Sequence, residues 1–133
     1  MKEDINIPEV TDVGFAVVRE QQNDEWVWNV YMINYKNTKL VNVFVSSKGY
    51  GIIDSHKKKT STINRFLGDV EAKSYRLIEP IMEDVFGLSN EYFLTFYIDG
   101  VIYDKKFVFV AESIKEEHLT TIKAIGKRGV LIK

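Results

Sequence analysis

The sequence predicts a mainly β protein: an antiparallel β-sandwich or partly open barrel of about seven strands, followed by one C-terminal helix. The first observation is the stretch 91–110, EYFLTFYIDGVIYDKKFVFV, in which two runs of β-branched and aromatic residues flank Asp99-Gly100. This dipeptide suits the positive φ angles of a type I′ hairpin turn. The second observation is that similar runs recur along the chain, with turn residues between them and no alternating helices, which favours antiparallel β architecture.

A two-residue turn fixes which residues of the 91–110 hairpin face each other. Because side chains alternate across a strand, one face of the hairpin is predicted to be core, interrupted only by Lys105. The opposite face mixes charged residues with four large apolar ones, Phe93, Tyr97, Ile102 and Val108. The predicted cross-strand pairs are Ile98 with Val101, Phe96 with Tyr103, Leu94 with Lys105, and Tyr92 with Phe107.

Three strands are predicted in the first part of the chain, separated by residues typical of turns. The third strand is expected to return as the antiparallel partner of the second. Residues 1–11 are mostly polar and are expected to form a loose arm, whereas residues 49–59 are expected to form an exposed loop. The three strands are 13–20 (VGFAVVRE), 26–35 (WVWNVYMINY) and 40–47 (LVNVFVSS).

The segment 60–67 could be a short helix capped by Ser61, but its Thr, Ile and Phe content favours a strand. Another strand is predicted at 72–80, before a connection with one helical turn near 83–86. After the hairpin the pattern becomes helical, because Ser113-Ile114-Lys115-Glu116 has the spacing of a capping box and Gly126 is placed to end a helix. The further expectations for this region are apolar residues at helical intervals (Leu119, Ile122 and Ile125) and a last short strand at 129–133.

The composition is that of one soluble globular domain, with 133 residues of which 45% are hydrophobic and 28% charged. The net charge of −1 gives the whole molecule no strong attraction to nucleic acid or to an anionic membrane. Cysteine is absent, which excludes disulfides, thiolate metal sites and thiol catalysis. Because no apolar run has membrane length and no leader pattern follows Met1, we expect a cytoplasmic protein without a membrane partner.

Residues 13–110 resemble an immunoglobulin-like sandwich. The segment 28–43 reads as a strand, a turn and a returning strand, and 67–70 (LGDV) is similar to the mid-domain turn of such folds. Tyr92 stands where a tyrosine corner would, although no cysteine pair is present and Leu94 occupies the place of the second cysteine. The resemblance implies architecture only, because these sandwiches host many unrelated functions.

The most basic stretch of the chain lies between residues 48 and 65, where five bases face one acid. Such a cluster can neutralise phosphates, but it can equally be a solvated loop whose lysines keep an edge strand from pairing. Since the domain as a whole is not basic, nucleic acid is not the expected partner, and anion or nucleic-acid binding is the alternative function. The five bases are Lys48, Lys57, Lys58, Lys59 and Arg65.

The sequence contains no recognisable catalytic or metal motif, so no metal and no cofactor is expected. The two histidines, His56 and His118, lie in unrelated segments without the spacing of a zinc or calcium site. The serines have no nucleophile context. A hydrolase that uses carboxylates or His56 brought together only by folding is the second alternative.

The mixed face of the hairpin gives the leading interpretation. Phe93, Tyr97, Ile102 and Val108 are costly to leave in water, at roughly 25 cal/mol per Å² of apolar area. Either the predicted helix at 114–125 covers them, or another chain does. The function expected from the sequence is therefore a non-enzymatic binding domain with a protein partner, and self-association through the 91–110 hairpin would make it a homodimer.

Overall fold

The structure is a computed structural model that describes residues 8–133, and it contains two antiparallel sheets. Within these residues the only helical elements are two 3-10 turns, Glu83–Val85 and Glu116–His118. The strands are β1 (Val13–Gln22), β2 (Glu25–Asn34), β3 (Leu40–Ile53), β4 (His56–Lys59), β5 (Ile63–Val70), β6 (Ser74–Pro80), β7 (Ser89–Ile98), β8 (Val101–Phe109), β9 (Thr120–Ile122) and β10 (Lys127–Ile132).

The two sheets follow a simple order. Sheet A runs β6-β2-β1-β10-β9. Sheet B runs β8-β7-β3, and β4 and β5 pair with successive parts of the long strand β3. All strand pairs are antiparallel, so the predicted mainly β class and antiparallel sandwich are confirmed. Residues 8–133 form ten strands, however, where about seven were predicted.

The main core lies between the two sheets and is rich in aromatic side chains. Phe15 of sheet A is fully buried, and its ring centroid lies 5.3 Å from that of Tyr92 and 4.8 Å from that of Phe107 in sheet B. Leu94 and Phe96 are also fully buried there. These contacts join strands from both sheets, as expected when each sheet has one apolar face.

The 91–110 hairpin has the predicted register. Phe96 pairs with Tyr103 and Tyr92 with Phe107, and the other two predicted pairs are also present. Asp99 has φ of 51° and Gly100 φ of 75°, the positive angles that a type I′ turn requires. The face predicted to be core is buried along most of its length, whereas Val101 near the turn is exposed.

The predicted C-terminal helix is wrong. Lys115 has extended backbone angles, and only the single 3-10 turn Glu116–His118 follows before β9 and β10 form a short hairpin. Ile114 packs into the main core, whereas Ile122 and Ile125 join a second cluster with Ala16 and Val18 on the other side of sheet A. The residues with helical spacing therefore pack into two different cores and do not form one face of a helix.

The predicted loop at 49–59 is also wrong, because β3 continues to Ile53 and pairs with β4. The turn between them is formed by Asp54 and Ser55, both at positive φ. Gly49 is explained by close packing: a Cβ atom there would lie 3.2 Å from the Cγ2 atom of Thr60. The glycines that suggested a loop instead allow neighbouring segments to approach a strand.

The strand β3 does not pair with β2, contrary to the prediction. β2 lies between β1 and β6 in sheet A, whereas β3 pairs with β7 in sheet B. The turn at 35–39 therefore carries the chain from one sheet to the other. Turn residues alone cannot distinguish a hairpin from such a crossing.

Other predictions have mixed outcomes. The strands near 13–20, 26–35 and 72–80 and the last short strand are confirmed, and so is the turn of helix near 83–86. The strand predicted at 60–67 is observed as Ile63–Val70, so the turn predicted at 67–70 is wrong: these residues lie within β5. Most of the predicted arm at 1–11 lies outside the described residues, although Val10 is buried against the main core. No helix within residues 8–133 is both long and apolar enough to cross a membrane.

Candidate binding surfaces

The four apolar residues of the mixed hairpin face lie on the outer side of sheet B. Phe93, Tyr97 and Ile102 are exposed by 38%, 36% and 49%, and Val108 is half-buried. The C-terminal segment that the sequence offered as a cover packs elsewhere. The structure thus leaves these side chains accessible to solvent.

Two further phenylalanines extend this surface, and both were missed from the sequence. Phe44 of β3 is the cross-strand partner of Phe66 in β5 and of Thr95 in β7, so all three share the outer face. Both phenylalanines are exposed. The alternation of β3 could have placed Phe44 outside, but the bulge near Asn42 (φ 51°) hid its alignment with β7. We call the following set the outer patch: Phe44, Phe66, Phe93, Tyr97, Ile102 and Val108.

Charged groups of both signs surround the outer patch. The Lys48 ammonium lies 3.8 Å from a carboxylate oxygen of Glu91 on the same face. On the edge strand β8, Asp104 is opposite Thr95 and Lys106 is opposite Phe93. The surface therefore combines large apolar side chains with a balanced set of acids and bases.

The five bases proposed as an anion site lie in three different settings. Lys48 pairs with Glu91, and Arg65 lies 3.4 Å from Glu79. Lys57, Lys58 and Lys59 are exposed on β4. Lys57 pairs with Ile52 and Lys59 with Tyr50, so Lys58 points to the opposite side of the hairpin.

A carboxylate between the sheets holds a polar network that the sequence did not reveal. Glu79 of β6 accepts hydrogen bonds from the Tyr92 hydroxyl at 3.0 Å and from the Ser47 hydroxyl at 3.1 Å, and Arg65 approaches it at 3.4 Å. Burial, and then the Glu79 charge, raises the pKa of Tyr92. A neighbouring cleft of about 330 Å³ is lined by Glu79 and Tyr92, but their polar atoms are already paired, so we assign the network to joining the sheets.

A second carboxylate network lies on the outer side of sheet A. Glu20 accepts hydrogen bonds from the Tyr31 hydroxyl at 2.6 Å and from the Asn29 amide at 2.8 Å, and Lys127 lies at 3.1 Å. Burial by itself would raise the pKa of Glu20, but these donors together hold it below its ordinary value. Burial and the same carboxylate raise the pKa of Tyr31.

No catalytic constellation forms from the residues considered for hydrolysis. His56 lies on β4, and His118 lies in the second 3-10 turn with its Nδ1 atom 2.8 Å from the Ser113 carbonyl oxygen. Both are exposed, as are the adjacent acids Glu83-Asp84 and Glu116-Glu117. In the described part of the chain, no three His, Asp or Glu side chains are grouped to hold a metal ion.

The chain matches no protein-family model and no curated protein.

Proposed function

We propose that this protein is a non-enzymatic binding domain that uses the outer patch to bind protein, with a second copy of the chain as the partner. The observation that carries the proposal is the position of the outer patch across four adjacent strands, β5, β3, β7 and β8. Apolar side chains grouped in this way mark interaction surfaces more often than apolar side chains scattered singly. Covering them stabilises a complex by roughly 25 cal/mol per Å² of apolar area.

The contact is expected to be between sheet faces and not between strand edges. β8 is an edge strand of sheet B, and three consecutive residues of it, Asp104, Lys105 and Lys106, are charged. Charged side chains on an edge oppose the addition of another strand. The outer patch has no such barrier, and two sheet faces can stack with their strands roughly 30° apart.

A second copy suits the charge pattern of this face. In an isologous contact the same surface is used twice, so a face that carries both signs can complement itself. Asp104 of one protomer can then lie near Lys106 of its partner. The small net charge of −1 gives little overall repulsion between copies.

We also infer that the sandwich is immunoglobulin-like in its strand order. In that arrangement strands A, B and E share one sheet and C, F and G the other. The positions of β1, β2 and β6 in sheet A, and of β3, β7 and β8 in sheet B, support the inference. Three features depart from it. β9 and β10 are added beside β1, and 67–70, which resembled a mid-domain turn, lies within β5. Tyr92 bonds the carboxylate of Glu79 where a tyrosine corner bonds backbone.

The proposal is tested by sedimentation of two matched variants. Tyr97→Lys places a charge in the outer patch, whereas Tyr75→Lys places the same charge on sheet A; the two tyrosines are exposed by 36% and 42%. We expect Tyr97→Lys to be a folded monomer and Tyr75→Lys to associate like the wild type, because an unpaired charge in an apolar contact is strongly unfavourable. If both variants associate alike, the outer patch is not the contact.

A further inference from the structure

A cleft of about 530 Å³ opens at one end of sheet A, away from the outer patch. We call it the end cleft. Its walls come from the end of β1, the start of β2, the start of β10 and the turn Glu116–His118. The size is within the range of small-molecule sites, which combine an apolar wall with a few polar groups. The wall includes Glu20 and Lys127, which pair with each other at 3.1 Å. The residues on which the argument depends are Arg19, Trp26, Glu116 and Arg128.

Two arginines lie side by side in the end cleft. Arg19 of β1 and Arg128 of β10 are direct cross-strand partners, so their side chains leave the sheet on the same side. Like charges in this position destabilise each other, and an anion held between them would relieve the repulsion. Arg128 donates one hydrogen bond, to the Leu119 carbonyl at 2.9 Å, and that acceptor carries no charge.

The N–H groups of the Arg19 guanidinium are available to hydrogen-bond a ligand. It lies 4.9 Å above the Trp28 ring, and it makes no hydrogen bond with any other residue between 8 and 133. Its ion-pair partner is Glu116 at 3.6 Å, whose side chain is 72% exposed and free to move aside. A guanidinium has five N–H groups in a planar fork that fits carboxylate and phosphate oxygens. Those groups are held beside the cleft by the stacking on Trp28.

An exposed indole completes the end cleft. Trp26 is 59% exposed, and the same Arg19 guanidinium lies 6.0 Å from its ring centroid. An indole offers a large flat face for stacking at low entropic cost. On the other side of Trp26 lies a second cleft of about 490 Å³, which Arg19 also lines. Its other charged residues are the acids Glu25, Glu83 and Asp84, so an anion is expected on the Arg128 side only.

We propose that the end cleft binds a small ligand that carries both an oxyanion, phosphate or carboxylate, and a ring able to stack on an indole. Arg19 and Arg128 hold the oxyanion through charge-assisted hydrogen bonds, and the ring stacks on Trp26. Glu116, the exposed partner of Arg19, is displaced when the ligand enters. A nucleoside monophosphate can stack on the indole through its planar base, and a uronic acid can stack through the C–H face of its pyranose chair. The site is independent of the outer patch, so the failure of either proposal leaves the other standing.

The chain itself supplies the probe for this site. It has two tryptophans, Trp26 and Trp28, and both lie beside Arg19. Tryptophan fluorescence of the full chain therefore reports from the end cleft. Adenosine monophosphate and glucuronate serve as the two ring-bearing oxyanions, and inorganic phosphate serves as the oxyanion without a ring.

We expect saturable quenching by one of the two ring-bearing probes with a Kd of about 1 mM or tighter, and binding at least about tenfold weaker for phosphate alone. The probe that saturates identifies the source of the oxyanion. Arg128→Gln should weaken binding about tenfold or more because it removes half of the arginine pair. Lys123→Gln removes the same charge from an exposed position on the β9–β10 turn outside the cleft, and it should bind like the wild type.

Arg19→Lys gives a second variant that keeps the charge but removes the planar fork, and we expect it to weaken binding as well. A thermal transition like that of the wild type shows that each variant is folded. The proposal is overturned if neither ring-bearing probe saturates. It is also overturned if phosphate alone binds as well as they do, or if Arg128→Gln and Lys123→Gln bind equally.

Discussion

The Tyr92 hydroxyl of sheet B donates a hydrogen bond of 3.0 Å to the Glu79 carboxylate of sheet A. Tyr92 is almost fully buried, so its hydroxyl has no access to bulk water in compensation. Together with the bond from the Ser47 hydroxyl to the same carboxylate, it forms a polar link between the two sheets. It fixes how the edge strand β6 sits against β3 and β7.

Removing this hydroxyl should be costly. Tyr92→Phe is expected to lower the free energy of unfolding by about 1.5–3 kcal/mol, the usual range for a hydrogen bond to a charged group. Urea denaturation measures the change. Tyr103→Phe is the control, because the Tyr103 hydroxyl makes no hydrogen bond with any residue between 8 and 133. This substitution should lower the free energy of unfolding by less than about 0.5 kcal/mol. Equal losses in the two variants would contradict the assigned role of Glu79.

The two buried tyrosine hydroxyls predict a loss of stability in alkali. The pKa values of Tyr31 and Tyr92 are raised above their ordinary 10.0, first by burial and then by Glu20 and Glu79. A raised pKa means that the folded state favours the protonated form. This stability is fully present below pH 10 and is lost as the pH rises above it. The double variant Tyr31→Phe/Tyr92→Phe lacks both hydroxyls. Above pH 10 its thermal unfolding midpoint should fall less steeply with pH than the midpoint of the wild type.

Glu20 predicts the opposite dependence in acid. Its pKa is held below the ordinary 4.5, so it stabilises the fold above pH 4.5 and this contribution is lost as the pH falls through the lower folded value. Glu20→Gln should flatten the acid limb of a stability–pH curve and cost about 1–2 kcal/mol at pH 7. The exposed Glu117→Gln should leave both the limb and the neutral stability unchanged. If Glu20→Gln loses stability in acid as steeply as the wild type, the ionised Glu20 carboxylate does not stabilise the fold as described.

The core face of the hairpin makes a simpler prediction. Phe96 is fully buried and stacks on Tyr103 with ring centroids 5.3 Å apart. Phe96→Ala should therefore lower the free energy of unfolding by about 3–5 kcal/mol, through lost burial and the cavity that remains. A loss below about 1 kcal/mol in chemical denaturation would contradict the packing described for this face.

The lysines of β4 are expected to be dispensable for folding. Changing Lys57, Lys58 and Lys59 together to Gln should leave the thermal transition within a few degrees of the wild type, because all three are exposed. The alternative function of anion or nucleic-acid binding makes a different prediction. It requires saturable binding of an oligonucleotide that falls in the triple variant and at higher salt.

The parts of the fold that were predictable are those with a strong local signal. Asp99-Gly100 determines both a turn and a register, so the hairpin pairs followed from the sequence alone. Leu119, Ile122 and Ile125 had helical spacing, but Leu119 packs against the main core and the two isoleucines belong to the second cluster, a division that no local pattern describes. The partner of β3 is a long-range choice that residues 34–39 do not encode.

The candidate surfaces were likewise predictable only where they depend on residues close together in the sequence. Phe93 and Tyr97 followed from alternation within one hairpin, whereas Phe44 and Phe66 join them only through the pairing of β3 with β5 and β7. The end cleft needed the pairing of Arg19 with Arg128, residues that are far apart in the sequence. Sites built by non-local pairing of strands are invisible to a reading of short patterns.

The central claim is that the outer patch joins two copies of this chain, and the most direct measurement is the mass of the wild-type protein in solution. Light scattering after size exclusion, over loading concentrations up to about 1 mM, covers even weak association. We predict a mass that rises with concentration towards twice the 15.4 kDa of one chain. A constant mass of 15.4 kDa at every concentration would contradict the claim.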